Sequence, residues 1–146
     1  MNRLPFVEST KFFGGNGGAT FNPSIEIDWN PNLRVQKIKV AHGAMVDSVQ
    51  LIMTDGMTTY EMPKLGGNGG NKSEWFVPQG EYIHRITMRY AQYLNGIQFH
   101  TNTGKSSPFF GKQTGSTADI EIRGNLLAIG GRSGSIVDAI QFFYWS

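Results

Sequence analysis

The sequence predicts an all-β protein made of three similar units. Short runs of alternating apolar residues and two kinds of segment that each recur three times carry that expectation. Alternation with period two sends every second side chain to one face of a strand. Ile25, Ile27 and Trp29 form the first such run. Val49, Leu51 and Met53 form the next, followed by Ile86, Met88 and Tyr90, and by Ile120 with Ile122. Each run is short and ends at glycine, proline or asparagine, as in NPNLR, KLGGNGGNK and TNTGKSSPFFG. Strands punctuated in this way fit a sandwich, a barrel or a prism. No segment has a 3.6-residue period. The aromatic tail Phe142-Phe143-Tyr144-Trp145 reads as a strand whose alternate residues enter the core, with an interface as the other reading.

The repeats organise these strands. MVDSVQLIM (Met45–Met53), YLNGIQFHT (Tyr93–Thr101) and IVDAIQFFY (Ile136–Tyr144) share Asp or Asn, a small residue, Val or Ile, Gln, then an apolar residue. A second set comprises FGGNGGATF (Phe13–Phe21), LGGNGGNKS (Leu65–Ser73) and the degraded FGKQTGSTA (Phe110–Ala118). Three copies suggest three β-units about a pseudo-threefold axis. A unit of this size holds about four strands.

The 146 residues are read as one domain over positions 1–146. With 19 glycines, 12% aromatic and 16% charged residues, the composition is that of a globular chain. Thirteen basic and eleven acidic residues nearly balance. Lys37, Lys39, Arg85 and Arg89 are scattered, without the basic stripe of a nucleic-acid binder, and are expected on solvated strand faces. The absence of cysteine removes disulfides and thiolate metal sites and fits a reducing compartment. MNRLPFVESTKFF lacks the apolar stretch of a signal peptide, and no run reaches the length of a membrane helix. The expectation is a soluble, cytoplasmic protein without membrane insertion. His42, His84 and His100 are too dispersed for a metal cluster and are expected at surface or loop positions, so neither metal nor cofactor is expected. Asn71-Lys72-Ser73 is a glycosylation sequon by pattern, expected to be unmodified.

Two loop types carry the candidate chemistry. GGNGG occurs at Gly14–Gly18 and Gly66–Gly70. Glycines let another group approach the backbone and leave N–H groups bare for a ligand oxygen. For either loop alone, a hairpin turn around Asn-Gly is the simpler reading. Nucleotide fingerprints fail: GxGxxG would need glycine at Thr20 or Lys72, and a phosphate loop ending at Gly104-Lys105-Ser106 would need glycine at Phe99. The second loop type is GxxxD, at Gly43–Asp47 and Gly134–Asp138, each just before an alternating strand. A carboxylate there can accept two hydrogen bonds from neighbouring hydroxyls, while loop amides donate and apolar loop residues cover a C–H face. An Asx-type turn is the alternative.

With both loop types and the threefold repeat, the chain resembles the jacalin-related lectins over nearly its whole length. The most specific stretches are Glu74-Trp75-Phe76-Val77-Pro78-Gln79-Gly80-Glu81-Tyr82-Ile83, Ile97–Gly104, and Pro108-Phe109-Phe110-Gly111. They are similar to the family's FxLxxGEyI, LxFxTNxG and GPFG signatures. Ser107 stands where glycine is usual, and Phe109-Phe110 adds an aromatic.

The resemblance implies a β-prism I of three four-stranded Greek-key sheets and a sugar-binding function. It further implies that a glycine loop from one unit meets the GxxxD loop of another. In the first implied site Gly18 faces the O3 side of a sugar, Ser135 and Ile136 donate to O5 and O6, and Asp138 accepts from O4 and O6, with Gly134 leading the loop. The second site uses Gly70 with Gly43, Ala44, Met45 and Asp47. At the third position, Gln92, Tyr93 and Asn95 lack both the leading glycine and the Asp. Their partner Gly111–Gly115 keeps only its outer glycines, so a weak or absent site is expected there. Thirteen residues precede the first glycine loop and no aromatic lies in either GxxxD loop. By the resemblance, both features favour the mannose/glucose branch over the galactose branch.

The resulting expectation is a lectin for mannose/glucose-containing glycans, multivalent through two sites, with a homodimer the favoured assembly. Galactose-type or broad specificity, and a protein-interaction scaffold with vestigial sites, are the alternatives. Each site has one obvious carboxylate, whereas glycoside hydrolysis needs two across one bond. Pairs such as Asp47 with Glu81 are therefore not read as catalytic.

Overall fold

The computed structural model describes residues 7–21 and 33–145. The run Ile25-Ile27-Trp29 lies outside them. Within the described residues the regular elements are all strands. In chain order they are β1 (Val7–Ser9), β2 (Phe13–Gly14), β3 (Ala19–Phe21), β4 (Arg34–His42), β5 (Val46–Thr54), β6 (Thr59–Glu61) and β7 (Leu65–Gly66). They continue with β8 (Asn71–Phe76), β9 (Ile83–Tyr90), β10 (Leu94–Thr101), β11 (Phe110–Gly111), β12 (Ser116–Glu121), β13 (Leu126–Ser133) and β14 (Val137–Trp145).

Three antiparallel sheets result, one per repeat. Each has a long central hairpin: β13–β14, β4–β5 or β9–β10. The glycine-rich segment supplies the two flanking strands. In the first sheet β2 lies beside β14 and β3 beside β13. In the second, β7 lies beside β5 and β8 beside β4. In the third, β11 lies beside β10 and β12 beside β9. Four strands per sheet is the expected number. The outer edge strand is interrupted, so the first sheet also carries β1 on β14 and the second carries β6 on β5. A single bridge between His100 and Ser106 holds the same place in the third sheet.

The predicted apolar faces form a shared core. Val49, Leu51 and Met53 from β5, Ile86 and Met88 from β9, Phe99 from β10, and Ile140 and Phe142 from β14 are all fully buried. They belong to one cluster to which all three sheets contribute. Burying a side chain of this size stabilises the fold by about 1.5–3 kcal/mol. The aromatic tail alternates as expected. Phe142 enters the common core and Tyr144 packs against it. On the other face, Phe143 joins Leu127 and Ala128 in a small separate cluster covered by Val7 and Trp145.

The lysines on the sheet faces behave as read from the sequence. Lys37 pairs with Glu74 at 3.3 Å, Lys39 with Glu61 at 3.7 Å, and Arg85 with Asp119 at 3.3 Å. Pairs this exposed contribute about 0–1 kcal/mol each. Of the three histidines, His84 is exposed on β9 as expected, whereas His100 and His42 depart from the surface-or-loop expectation. His100 sits within β10 at 8% exposure. Its Nδ1 meets the Ser106 hydroxyl at 2.7 Å and its Nε2 the Thr87 hydroxyl at 2.8 Å. His42 ends β4, meets the Ser73 hydroxyl at 3.1 Å and stacks at a tilt on Phe110, 5.4 Å between centroids. Alternation puts these positions on inward-facing or covered strand faces, and hydroxyl partners satisfy the rings there.

Phe142→Ala is expected to lower the unfolding free energy by about 3–5 kcal/mol, read as a lower urea midpoint. Burial, the largest effect, holds the His100 pKa below its ordinary value. The unfolded chain then takes up a proton more readily than the native one as pH falls below about 6.5. Stability should decline as pH drops through that window and on through the lower native pKa. His100→Gln should flatten the decline in urea melts collected at successive pH values.

Candidate functional site

Each central hairpin turns through a three-residue tip at one end of the molecule. The flanking pairs are Ser133 with Val137, His42 with Val46, and Tyr90 with Leu94. All three tips close with the same hydrogen bond, from the Gly134 amide to the Ile136 carbonyl (3.0 Å), from Gly43 to Met45 (2.9 Å) and from Ala91 to Tyr93 (3.0 Å). The bond spends the leading amide and leaves the next two uncommitted to the backbone. Ser135 and Ile136, and likewise Ala44 and Met45, donate to no other backbone group among the described residues.

The glycine loops are not hairpin turns. The strands on either side of each loop do not pair with each other. The loop instead crosses the mouth of the central hairpin, from the edge of β14 to the edge of β13 in the first sheet. This crossing brings glycine backbone onto the aspartate. A Cβ on Gly17 would lie 2.7 Å from Asp138 Oδ1, and one on Gly18 would lie 2.5 Å from Oδ2. In the second sheet a Cβ on Gly70 would lie 2.6 Å from Asp47 Oδ1, and one on Gly69 would lie 3.2 Å from Oδ2. Gly18 and Gly70 also have φ values of +72° and +84°, which disfavour any side chain.

The structure thus brings Gly18 to Asp138 beside Gly134, Ser135 and Ile136, and Gly70 to Asp47 beside Gly43, Ala44 and Met45. It corrects one part of the expected geometry. The two loops of each site belong to the same sheet, not to neighbouring units. The contact between units lies one residue away, where a Cβ on Gly15 would meet the Gln92 carbonyl oxygen at 2.2 Å and one on Gly67 the Ser135 carbonyl oxygen at 2.3 Å.

The two aspartates differ in setting. Asp138 is 6% exposed and Asp47 is half-buried. Among the described residues neither carboxylate is engaged in a hydrogen bond or an ion pair, so both retain their full acceptor capacity. At the third position Asn95 is already committed, its amide donating to the Thr114 carbonyl at 2.8 Å.

Arg132 belongs to the candidate site and was not singled out from the sequence. Its guanidinium donates to the Gly17 carbonyl (3.0 Å), the Gly18 carbonyl (3.1 Å) and the Thr20 hydroxyl (2.9 Å), clamping the first glycine loop. Arg89, read as a solvated-face residue, makes the corresponding bond to the Gly115 carbonyl at 3.0 Å. Both arginines lie at the same offset before Asp138 or Asn95, a shared spacing that could have singled them out. Ala41 holds that place in the second sheet, where Lys64 instead reaches the Asn68 side chain at 2.6 Å.

Glu81 has no part in either site. It precedes β9, whose far end carries the third tip, so about eight residues at roughly 3.3 Å each separate it from the aspartate end. Glycoside hydrolysis needs carboxylates about 5–9.5 Å apart. Glu81 accepts from the hydroxyls of Thr101 (2.6 Å) and Thr103 and pairs with Lys105 at 3.4 Å. The two hydroxyls, first among the causes, hold its pKa below the ordinary carboxylate value.

Arg132→Ala is expected to speed hydrogen exchange of the 17–20 amides by at least tenfold while the Gly66–Gly70 loop stays unchanged. Hydrogen–deuterium exchange of the two proteins checks this.

Comparisons with known proteins agree with this architecture. The profile of the Jacalin-like lectin domain matches residues 10–143. The fold superposes on a mannose binding jacalin related lectin from Ananas comosus with a TM-score of 0.78 and 25% identity, covering 94% of this chain and 96% of that one. It superposes on Malaysian banana lectin with a TM-score of 0.77 and 26% identity, covering 95% and 98%. In Rattus norvegicus, zymogen granule membrane protein 16 is 36% identical over 84 residues, 56% of this chain. That match spans about half the relative's length, 49%. With three Greek-key sheets about one core and the domain profile covering nearly its whole length, the chain belongs to the jacalin-like lectin family.

Proposed function

We propose that the protein binds mannose- or glucose-type sugars at two sites, without turning them over. The observation that carries this reading is the twofold recurrence of one arrangement: a glycine backbone over a carboxylate, beside two tip amides, with carboxylate and amides uncommitted among the described residues. A pyranose offers vicinal hydroxyls to a carboxylate, ring and exocyclic oxygens to amides, and a C–H face to apolar side chains.

In the first site Asp138 accepts from O4 and O6, Ser135 and Ile136 donate to O5 and O6, and Gly18 donates toward O3. In the second, Asp47, Ala44, Met45 and Gly70 take those parts. Ile136 and Met45, each half-buried, offer the apolar contact. An equatorial O4 and an O6 on one carboxylate favour mannose or glucose over galactose, and the relative from Ananas comosus is described as mannose binding. The first site is the better organised, because Arg132 holds its loop and Asp138 is nearly immobilised by burial. Preorganisation removes ordering costs from binding.

A single sugar in a shallow site binds near the millimolar range, about 4 kcal/mol. Two sites on one chain, and their duplication in a homodimer, raise avidity by about 10²–10⁴ where one glycan spans them.

Calorimetric titration with methyl α-mannoside should give two sites per chain, the tighter one lost in Asp138→Asn and the weaker in Asp47→Asn. The double variant should bind none while keeping its urea midpoint. Methyl galactoside should compete at least tenfold less well, and an aryl mannoside should not be cleaved. Equal competition by the galactoside, or unchanged binding by the double variant, would overturn the proposal.

A further inference from the structure

The three sheets meet at seams that follow the pseudo-threefold axis, and one seam differs from the other two. At two of them a glycine, Gly15 or Gly67, sits so close to the neighbouring tip that a Cβ would lie 2.2 or 2.3 Å from a carbonyl oxygen. Those tips contribute Gln92 and Ser135. The residue corresponding to Gly15 and Gly67 in the third sheet is Lys112, as its amide shows: it donates to the Asn95 carbonyl at 2.7 Å, as Gly15 does to Asp138 and Gly67 to Asp47, both at 2.9 Å. The tip residue it faces, corresponding to Gln92 and Ser135, is Ala44.

A lysine cannot approach as closely as a glycine, so this seam stays open. The structure has a cavity of about 500 Å³ there, lined by Ala44 and Met45 on one side and by Tyr93, Asn95, Lys112 and Thr114 on the other. The volume falls within the range of small-ligand sites, about 300–1,000 Å³.

Charge at the third position differs as well. The three corresponding residues are Asp138, Arg132 and Gly15 at the first site, and Asp47, Ala41 and Gly67 at the second. At the third they are Asn95, Arg89 and Lys112, two cations and no anion. Arg89 is committed to the Gly115 carbonyl. Lys112 is exposed and has no hydrogen bond or ion pair through its ammonium among the described residues. Tyr93, half-buried, replaces the aliphatic Ile136 and Met45 and offers a ring face.

We infer that this open seam is a third glycan subsite, selective for a pyranose that carries an anionic substituent, a carboxylate or a sulfate. Lys112 receives the anion, Tyr93 covers the ring face, and the Asn95 side-chain oxygen accepts a hydroxyl. That the ligand is a sugar rests on the lectin reading above; its charge and position rest on the seam itself.

Amide NMR titrations of the wild type and of Asp47→Asn/Asp138→Asn test the inference, with methyl glucuronide, glucose 6-sulfate, methyl α-mannoside and sodium sulfate as separate probes. The two anionic sugars should shift the amides of Gln92, Tyr93 and residues 112–114 equally in both proteins. Lys112→Glu should weaken this binding at least tenfold and leave methyl α-mannoside at the other two sites unchanged. Persistence of the anionic sugar response in the double variant separates this inference from the fate of the two aspartate sites. Equal shifts of these amides by methyl α-mannoside, equal shifts by sulfate alone, no shift by either anionic sugar, or an unchanged titration in Lys112→Glu would each overturn it.

Discussion

One backbone hydrogen bond recurs where each edge strand meets its central strand. It runs from Gly15 to the Asp138 carbonyl, from Gly67 to Asp47 and from Lys112 to Asn95. The rest of this end of the molecule depends on it. By tying the edge strand to the residue that carries the acid, it fixes where the following loop crosses the hairpin mouth. The crossing then sets the glycine backbone over the side-chain oxygens. The fold needs only the N–H at this position, which any residue except proline supplies. The seam to the next sheet needs the absence of a Cβ. Lys112 satisfies the first requirement and not the second, so the third sheet keeps its pairing while its seam opens.

The same separation explains how three similar sheets carry different residues at their tips. Their hairpins are held by a common apolar core, in which Leu51, Phe99 and Phe142 come from the corresponding central strands of the three repeats. The tips lie beyond that core. A change such as Asp to Asn at position 95 therefore alters a local hydrogen bond without disturbing the packing. Asn95 turns its amide to the Thr114 carbonyl, an interaction a carboxylate cannot make because it has no donor. The asparagine thus holds the third loop from within and commits its side-chain amide.

Carboxylate placement bears on the enzyme alternative in the same way. Asp47 and Asp138 lie at one end of the prism, each beneath its own glycine loop. Glu81 stands at the other end and is occupied by Thr101, Thr103 and Lys105. Its motif lies in the stretch that most resembles the family, and its role in this structure is to hold the turn before β9.

Much of this was legible in the sequence because it follows from local pattern. Period-two alternation located Val49, Leu51 and Met53, and Ile86 with Met88, on buried faces. The threefold recurrence of the Asp or Asn strand and of the glycine loop located the sheets and the segments that meet at the hairpin tips. What tertiary structure alone decided is which segments lie side by side. The first sheet joins β2 and β3 to β13 and β14 across more than a hundred residues, as the Arg132–Gly17 bond does. No local pattern encodes a pairing of that separation, and the loops of different units that the resemblance implied lie in one sheet in the structure. The open seam at Lys112 is of the same kind. A lysine in a degraded repeat reads as a lost site, and only the approach of the neighbouring tip makes it the wall of a cavity. Alternation and repeats are one-dimensional properties and survive in the sequence; contacts between distant backbones arise when the sheets close on their shared core.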